Sequence, residues 1–210
     1  MQPMLARSTA FVTALLIWAA LGIQLAILIR QFADQDLGLA AAVWRFSGFF
    51  TILTNMAVAI VASAMALRPE SRLAGPRLRL AVAVSIALVG IVYSLALRSV
   101  WNPQGWQAVV DHALHDASPL LFLLAWALFP HGRLGWRDAI WGIVFPLAYV
   151  CYAMARGAAD GWYAYWFLDP AALPAGDFVR NIALLLAGFA AASLLLIAID
   201  RIFAKRVAAI

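Results

Sequence analysis

Asp111-His112-Ala113-Leu114-His115-Asp116-Ala117-Ser118-Pro119 runs without a break into the apolar stretch Leu120 to Phe129. Four ionisable residues within six positions open a segment that is otherwise lipid-soluble. Ionisable groups inside a membrane span are costly and usually face a bundle interior or a wet cavity. The segment is therefore read both as part of a membrane span and as the place to look for chemistry.

Five further stretches are apolar and long enough to span. Together the six run from about Thr9 to Ile29, Phe46 to Leu67, Leu80 to Leu97, His112 to Phe129, Trp136 to Ala155 and Phe178 to Ile199. Each is close to the roughly 20 residues that a membrane-crossing helix needs. Hydrophobic residues make up 66% of the chain and charged residues 12%, whereas a soluble domain is about half apolar and about a quarter charged. The expected fold is an all-α integral membrane protein, a six-transmembrane-helix bundle that fills residues 1–210 as one domain. Arg7 ahead of the first stretch resembles a signal peptide, but the apolar run is too long for one and no clean cleavage site follows. A retained helix is expected there. The single cysteine, Cys151, allows no intrachain disulfide and no cysteine-based metal motif.

The net charge of +5 calls for no nucleic-acid partner once its distribution is considered. Arg7, Arg68, Arg72, Arg77, Arg79, Arg133, Arg137, Arg201, Lys205 and Arg206, 10 of the 15 basic residues, fall in the termini and the even-numbered connections. Positive charge marks the cytoplasmic side, so both termini are expected in the cytoplasm, with membrane lipids as the natural surroundings. The opposite connections hold Asp34, Asp36 and the Asn102-Pro103-Gln104-Gly105 turn signal. They also hold the aromatic run Trp162, Tyr163, Tyr165, Trp166 and Phe167. Most of these rings read as an interfacial belt; a lid over a site between the helices is the sharper alternative.

Two spans carry buried polar groups. In the second, Thr51 and Asn55 are four residues apart and share a helix face. A threonine alone is ordinarily back-bonded to its own helix, but a buried amide needs partners that lipid cannot supply. In the fourth, Asp111 pairs by spacing with His115, and His112 with Asp116. Either carboxylate could orient an imidazole acting as general base. A polar helix start at the interface explains Asp111 and His112 well, and His115 and Asp116 less well. Pro119 withholds a hydrogen bond from the carbonyl of His115, so the helix is expected to weaken or kink there. At 1.5 Å of rise per residue, Thr51 lies roughly 7 Å and His115 roughly 5 Å inside the outer ends of their expected spans.

Phe49-Phe50-Thr51-Ile52-Leu53-Thr54-Asn55 and the His112/His115 segment, in a six-span chain of this size, resemble the androgen-induced (FAR-17a-like) family. The Asn-Pro-Gln-Gly turn and Tyr163-Ala164-Tyr165-Trp166-Phe167-Leu168-Asp169 look like its bacterial branch. The resemblance implies a six-helix membrane hydrolase of fatty acid esters of hydroxy fatty acids, located in a bacterial inner membrane. It implies Thr51 as nucleophile and His115 as base, with Thr54 and His112 as substitutes, and a lipid ester as the partner.

On this reading no cofactor or metal is needed. Thr51 attacks the ester carbonyl and His115 takes its proton. Asp111 or Asp116 orients the imidazole, Asn55 donates to the oxyanion, and Arg156 or Arg180 binds a fatty acid carboxylate. Two other readings compete. A metal-dependent hydrolase would draw on His112, His115 and Asp116, although these crowd one helix. A lipid-binding, transport or assembly protein would use the polar cluster as a binding site or a structural node. No inverted repeat and no helix broken at the midplane favours transport.

Overall fold

The structure, a computed structural model, describes residues 4–208. It is all-helical among those residues. Six helices are long and apolar enough to cross a membrane: Met4–Ala33, Phe50–Leu67, Pro76–Leu97, Trp106–Leu128, Trp136–Asp160 and Ala175–Lys205. We number the α-helical segments α1 (Met4–Ala33), α2 (Leu39–Ser47), α3 (Phe50–Leu67), α4 (Pro76–Val92), α5 (Trp106–His112), α6 (Ser118–Leu128), α7 (Trp141–Asp160) and α8 (Ala175–Ala208).

α1 lies against α3 and α6, and α4 stands between that group and the pair α7 and α8. Small residues allow the close approach of α1 and α3. Ala6, Ala10 and Ala14 form one buried row at four-residue spacing on α1. They belong to one core cluster with Ala59, Ala62 and Ala66 of α3. Lipid supplies no hydrophobic drive between helices, so packing of small residues takes its place. A separate cluster of Leu80, Val84, Leu134, Phe189 and Ile197 joins α4 to α8.

One end of the bundle is tied by polar contacts from basic connections. Arg7 Nε donates to the carbonyl of Ala66 at 2.9 Å, and Arg79 Nη2 to that of Pro130 at 2.9 Å. Arg77 pairs with Asp138 at 2.7 Å. His131 pairs with buried Asp200 at 2.8 Å. His131 thus stands with the basic connections, away from the other two histidines.

At three places the helices depart from the boundaries expected from the sequence, and each departure shapes the site. The second stretch is not one helix from Phe46. α2 ends at Ser47, Phe49 is extended with ψ of 131°, and α3 begins at Phe50. The break is held by tyrosines of α7: Tyr149 Oη donates to the carbonyl of Gly48 at 2.9 Å, and Tyr152 Oη to that of Ser47 at 3.2 Å. A Cβ at Gly48 would lie 2.5 Å from the Trp162 ring and 2.9 Å from Arg156 Nη1, so this crowded corner requires glycine. Thr51 therefore sits in the first turn of a helix rather than well inside one.

The fourth span starts at Trp106, not near His112. Its entry is Gly105, whose φ of 57° suits glycine at the end of the expected turn. His115 then lies roughly 13 Å along the helix from its start. The shared depth estimated from sequence came from two misplaced helix starts.

The third departure is a pair of π-turns, Tyr93–Leu97 after α4 and Ala113–Ala117 between α5 and α6. In the second, the amide of Ser118 reaches back to the carbonyl of Ala113, and Pro119 has no N–H to offer His115. The wider turn absorbs the missing bond that a regular helix would have shown as a kink. Such turns in α-helices gather at functional sites.

Candidate active site

The two π-turns bring Tyr93 against His115, next to the first turn of α3. Thr51 Oγ1 lies 3.3 Å from His115 Nε2. The other ring nitrogen, His115 Nδ1, lies 3.0 Å from the backbone oxygen of Asp111 and 3.3 Å from its Oδ1. Both of those oxygens accept, so Nδ1 carries the hydrogen and Nε2 is left as an acceptor facing the threonine hydroxyl. The Tyr93 ring stacks on the imidazole, with centroids 4.0 Å apart and planes 18° from parallel. The Tyr93 hydroxyl donates to Asp111 Oδ2. Asp111 is 5% exposed, so Tyr93 and His115 supply the partners that a buried carboxylate requires.

The sequence left open which aspartate serves the histidine; the geometry separates them. Asp111 holds His115 from within the bundle. Asp116 stands at the rim, paired with Arg98 and, at 2.7 Å, with His112. The His112 side chain is 64% exposed. The interface reading was thus reversed for Asp111 and Asp116. The two acidic positions are five residues apart and so lie on different sides of the helix, Asp111 toward the bundle and Asp116 toward its rim. Among the described residues no group of three or more His, Cys, Asp or Glu is placed to hold a metal ion, so His112, His115 and Asp116 do not form a ligand set.

Asn55 is fully buried. Its Nδ2 donates to the carbonyl of Thr51 at 2.9 Å and to that of Leu114 at 3.2 Å. Both amide hydrogens are thereby used, and the expected oxyanion role has no donor left to serve it. Asn55 instead pins the first turn of α3 to the π-turn that carries His115. Thr54, the possible substitute nucleophile, is also fully buried, and among the described residues its Oγ1 has no hydrogen-bond partner. Gly90 of α4 keeps the same region close: a Cβ there would lie 3.0 Å from Pro119 Cγ and 3.2 Å from the carbonyl oxygen of His115.

Two cavities meet at Thr51. The wider, about 420 Å³, is lined in part by Gln24, Gln31, Arg45, Gln107, Asp111 and His115. The narrower, about 60 Å³, is almost wholly apolar and includes Leu88, Pro146, Leu185 and Phe189. Thr51, Tyr93, Leu97 and Tyr165 border both. Tyr165 comes from the aromatic connection after α7, so that segment forms one wall of the site. Its hydroxyl oxygen accepts a hydrogen bond from the Thr51 amide at 3.3 Å and lies 3.5 Å from Thr51 Oγ1. Burial raises its phenol above the ordinary range, so the hydroxyl keeps its proton. The sequence reading assigned most of these rings to the belt and kept a lid over a site as the alternative, without singling out Tyr165 from its neighbours.

The two cations assigned to a substrate carboxylate border neither of these cavities. Arg156 is 4% exposed. It lies over the Trp44 ring at 3.9 Å and donates to Tyr152 Oη at 3.1 Å. Arg180 pairs with Asp177 at 2.9 Å on an exposed helix face. The cation that does border the wide cavity is Arg45, which rests on the Trp162 ring at 4.0 Å. Burial lowers its pKa, with neighbouring Arg156 acting in the same direction and Asp160 opposing. Arg98, at the rim, is pulled the other way by its hydrogen bond to Asp116.

Comparison with protein-family models, with curated proteins and with solved structures gives no match for this chain.

Proposed function

We propose that this chain is an intramembrane lipid ester hydrolase, with Thr51 as nucleophile and His115 as general base. One observation carries the reading: Thr51 Oγ1 lies 3.3 Å from the acceptor nitrogen of His115 at the junction of a wide cavity and a narrow apolar one. Nucleophile, base and buried orienting carboxylate form a threonine version of the catalytic triad. The resemblance of the Phe49–Asn55 segment to the androgen-induced (FAR-17a-like) family supports the same chemistry. The membrane setting is a bacterial inner membrane on that resemblance.

The reaction runs as follows. His115 Nε2 takes the proton of Thr51 Oγ1 as that oxygen bonds to the acyl carbon and the carbonyl electrons move onto the carbonyl oxygen. Asp111 steadies the imidazolium that results. The intermediate collapses by breaking the bond to the alkoxy oxygen, which leaves with the proton returned by His115. Water then repeats the sequence on the acyl-threonine and releases the fatty acid. The decisive experiment is labelling of the purified full chain with a fluorophosphonate probe and comparison with Thr51→Ala. Equal labelling of both would exclude Thr51 as nucleophile, and labelling of neither would leave a lipid-binding role for the cavity.

The lining of the two cavities orients the substrate. The narrow apolar cleft accepts the start of the acyl chain. The wide cavity, with Arg45 and three glutamines, accepts an alcohol half that bears an anion. Arg45 thus takes the role first given to Arg156 and Arg180. A charge-assisted hydrogen bond of about 1.5–3 kcal/mol converts to a rise in KM of about tenfold or more for Arg45→Gln. That rise is expected for an ester whose alcohol half carries a free carboxylate and not for its methyl-capped analogue. An equal effect on both would remove Arg45 as the anchor.

The basic end of the bundle faces the cytoplasm on the positive-inside rule, which puts both termini there and the site toward the outer leaflet. Single cysteines at Gly75 and Gly105, in a chain lacking Cys151, should be labelled from opposite sides of the membrane by an impermeant maleimide. Labelling of both from one side would refute this orientation.

A further inference from the structure

The proposed chemistry needs a donor for the oxyanion, and Asn55 is already committed to two backbone carbonyls. We infer that Tyr165 is a catalytic residue, whose phenol donates a hydrogen bond to the oxyanion formed when Thr51 attacks an ester. The inference rests on the hydrolase reading above and adds a residue to it.

The geometry supports the role in three ways. First, the position is right. Tyr165 Oη lies 3.5 Å from Thr51 Oγ1 and borders both cavities at the point where they meet. An oxyanion on the carbon bonded to Thr51 Oγ1, directed into that junction, would meet the phenol, which serves as a useful donor at roughly 2.7–3.1 Å. Second, the proton is available. The phenol oxygen accepts from the Thr51 amide, so its own hydrogen points elsewhere. Among the described residues the acceptor within its reach is Thr51 Oγ1, at 3.5 Å, the outer limit of hydrogen bonding. Third, the donor is polarised. Thr51 lies in the first turn of α3, an 18-residue helix, whose leading amides have no partner within the helix and carry partial positive charge. An amide hydrogen bond onto the phenol oxygen strengthens the bond that the phenol can donate onward.

The helix end therefore acts on the oxyanion through Tyr165. No proton is transferred in this step; the hydroxyl keeps its hydrogen while negative charge builds on the former carbonyl oxygen, and releases the hydrogen bond as the intermediate collapses. The same ring packs against Phe167, with centroids 5.2 Å apart, which sets its direction independently of the hydroxyl.

Tyr165→Phe keeps that packing and deletes the donor. With p-nitrophenyl laurate as substrate and the full chain in detergent, kcat should fall about 10²- to 10³-fold, the loss typical of removing one oxyanion donor. KM should stay within about twofold, because the interaction exists in the transition state alone. Wild type should prefer the ester strongly over its thiono analogue, whose sulfur is a poor acceptor, and Tyr165→Phe should lose most of that preference. Fluorotyrosine at position 165 gives a second measurement that leaves the shape intact: kcat should change with phenol acidity. An active Tyr165→Phe with wild-type kcat, or with a higher one because the phenol merely blocks the end of α3, would overturn the inference while the hydrolase reading stands. A wild-type chain that neither hydrolyses esters nor takes the fluorophosphonate label would end both.

Discussion

Thr51→Ala should lower kcat for ester hydrolysis by on the order of 10⁴-fold or more, and His115→Ala should do nearly the same, since nucleophile and base act as a unit. The alanine methyl has no oxygen to attack with, and nothing else in the site replaces it. Thr54 is fully buried and borders neither cavity. The double variant should be scarcely worse than either single one, because the second substitution removes a partner that has already lost its function. Thr51→Ala should still fold, since Asn55 bonds to the backbone carbonyl of Thr51 rather than to its side chain; His115→Ala leaves buried Asp111 with Tyr93 alone as side-chain partner and should melt lower. Activity against a lipid ester, with a melting curve on the same sample, checks this. His112→Ala should stay within a few-fold of wild type, because that side chain is mostly exposed and pairs with Asp116 at the rim. Near-normal turnover in Thr51→Ala, or a loss in His112→Ala that exceeds the loss in His115→Ala, would remove the proposed dyad.

The second large effect is expected at Asp111. Asp111→Asn should lower kcat by about 10²- to 10⁴-fold, toward the loss seen when an orienting aspartate becomes an amide and the imidazole takes the wrong tautomer. Two contacts would be disturbed together. The Tyr93 hydroxyl would face an amide in place of a carboxylate, and His115 Nδ1 would keep only the backbone oxygen as a dependable acceptor. Asp116→Asn should cost far less, because its partners Arg98 and His112 lie at the rim. The comparison of the two variants at equal protein stability is the measurement. If Asp116→Asn proved the more damaging, the orienting role would move to the rim and the triad would be wrong.

The fold class lay open in the sequence because a membrane imposes a simple demand. Every backbone polar group must be satisfied within its own segment, so apolar stretches of spanning length can only be helices, and six of them are found. The polar residues worth attention were legible for the same reason: Thr51, Asn55, Asp111 and His115 stand out against an apolar background where each is costly. Sequence spacing also placed Asp111 and His115 on one face of the fourth span, as the 3.3 Å contact between Nδ1 and Oδ1 requires.

Tertiary structure decided which partners each of them meets. Helical spacing pairs each aspartate with a histidine but does not say which side of the span faces the bundle; packing turns Asp111 inward and leaves Asp116 at the rim. Asn55 looked like a free donor because its two carbonyl partners, one of them on another helix, cannot be read along a single helix. Arg45 and Arg156 differ through contacts with distant tryptophans, although both are arginines near helix ends. Tyr165 reaches Thr51 across 114 residues. Local sequence determines which segments leave water and which polar groups travel with them. Packing between helices decides which of those groups are spent on holding the fold and which remain free to face a substrate.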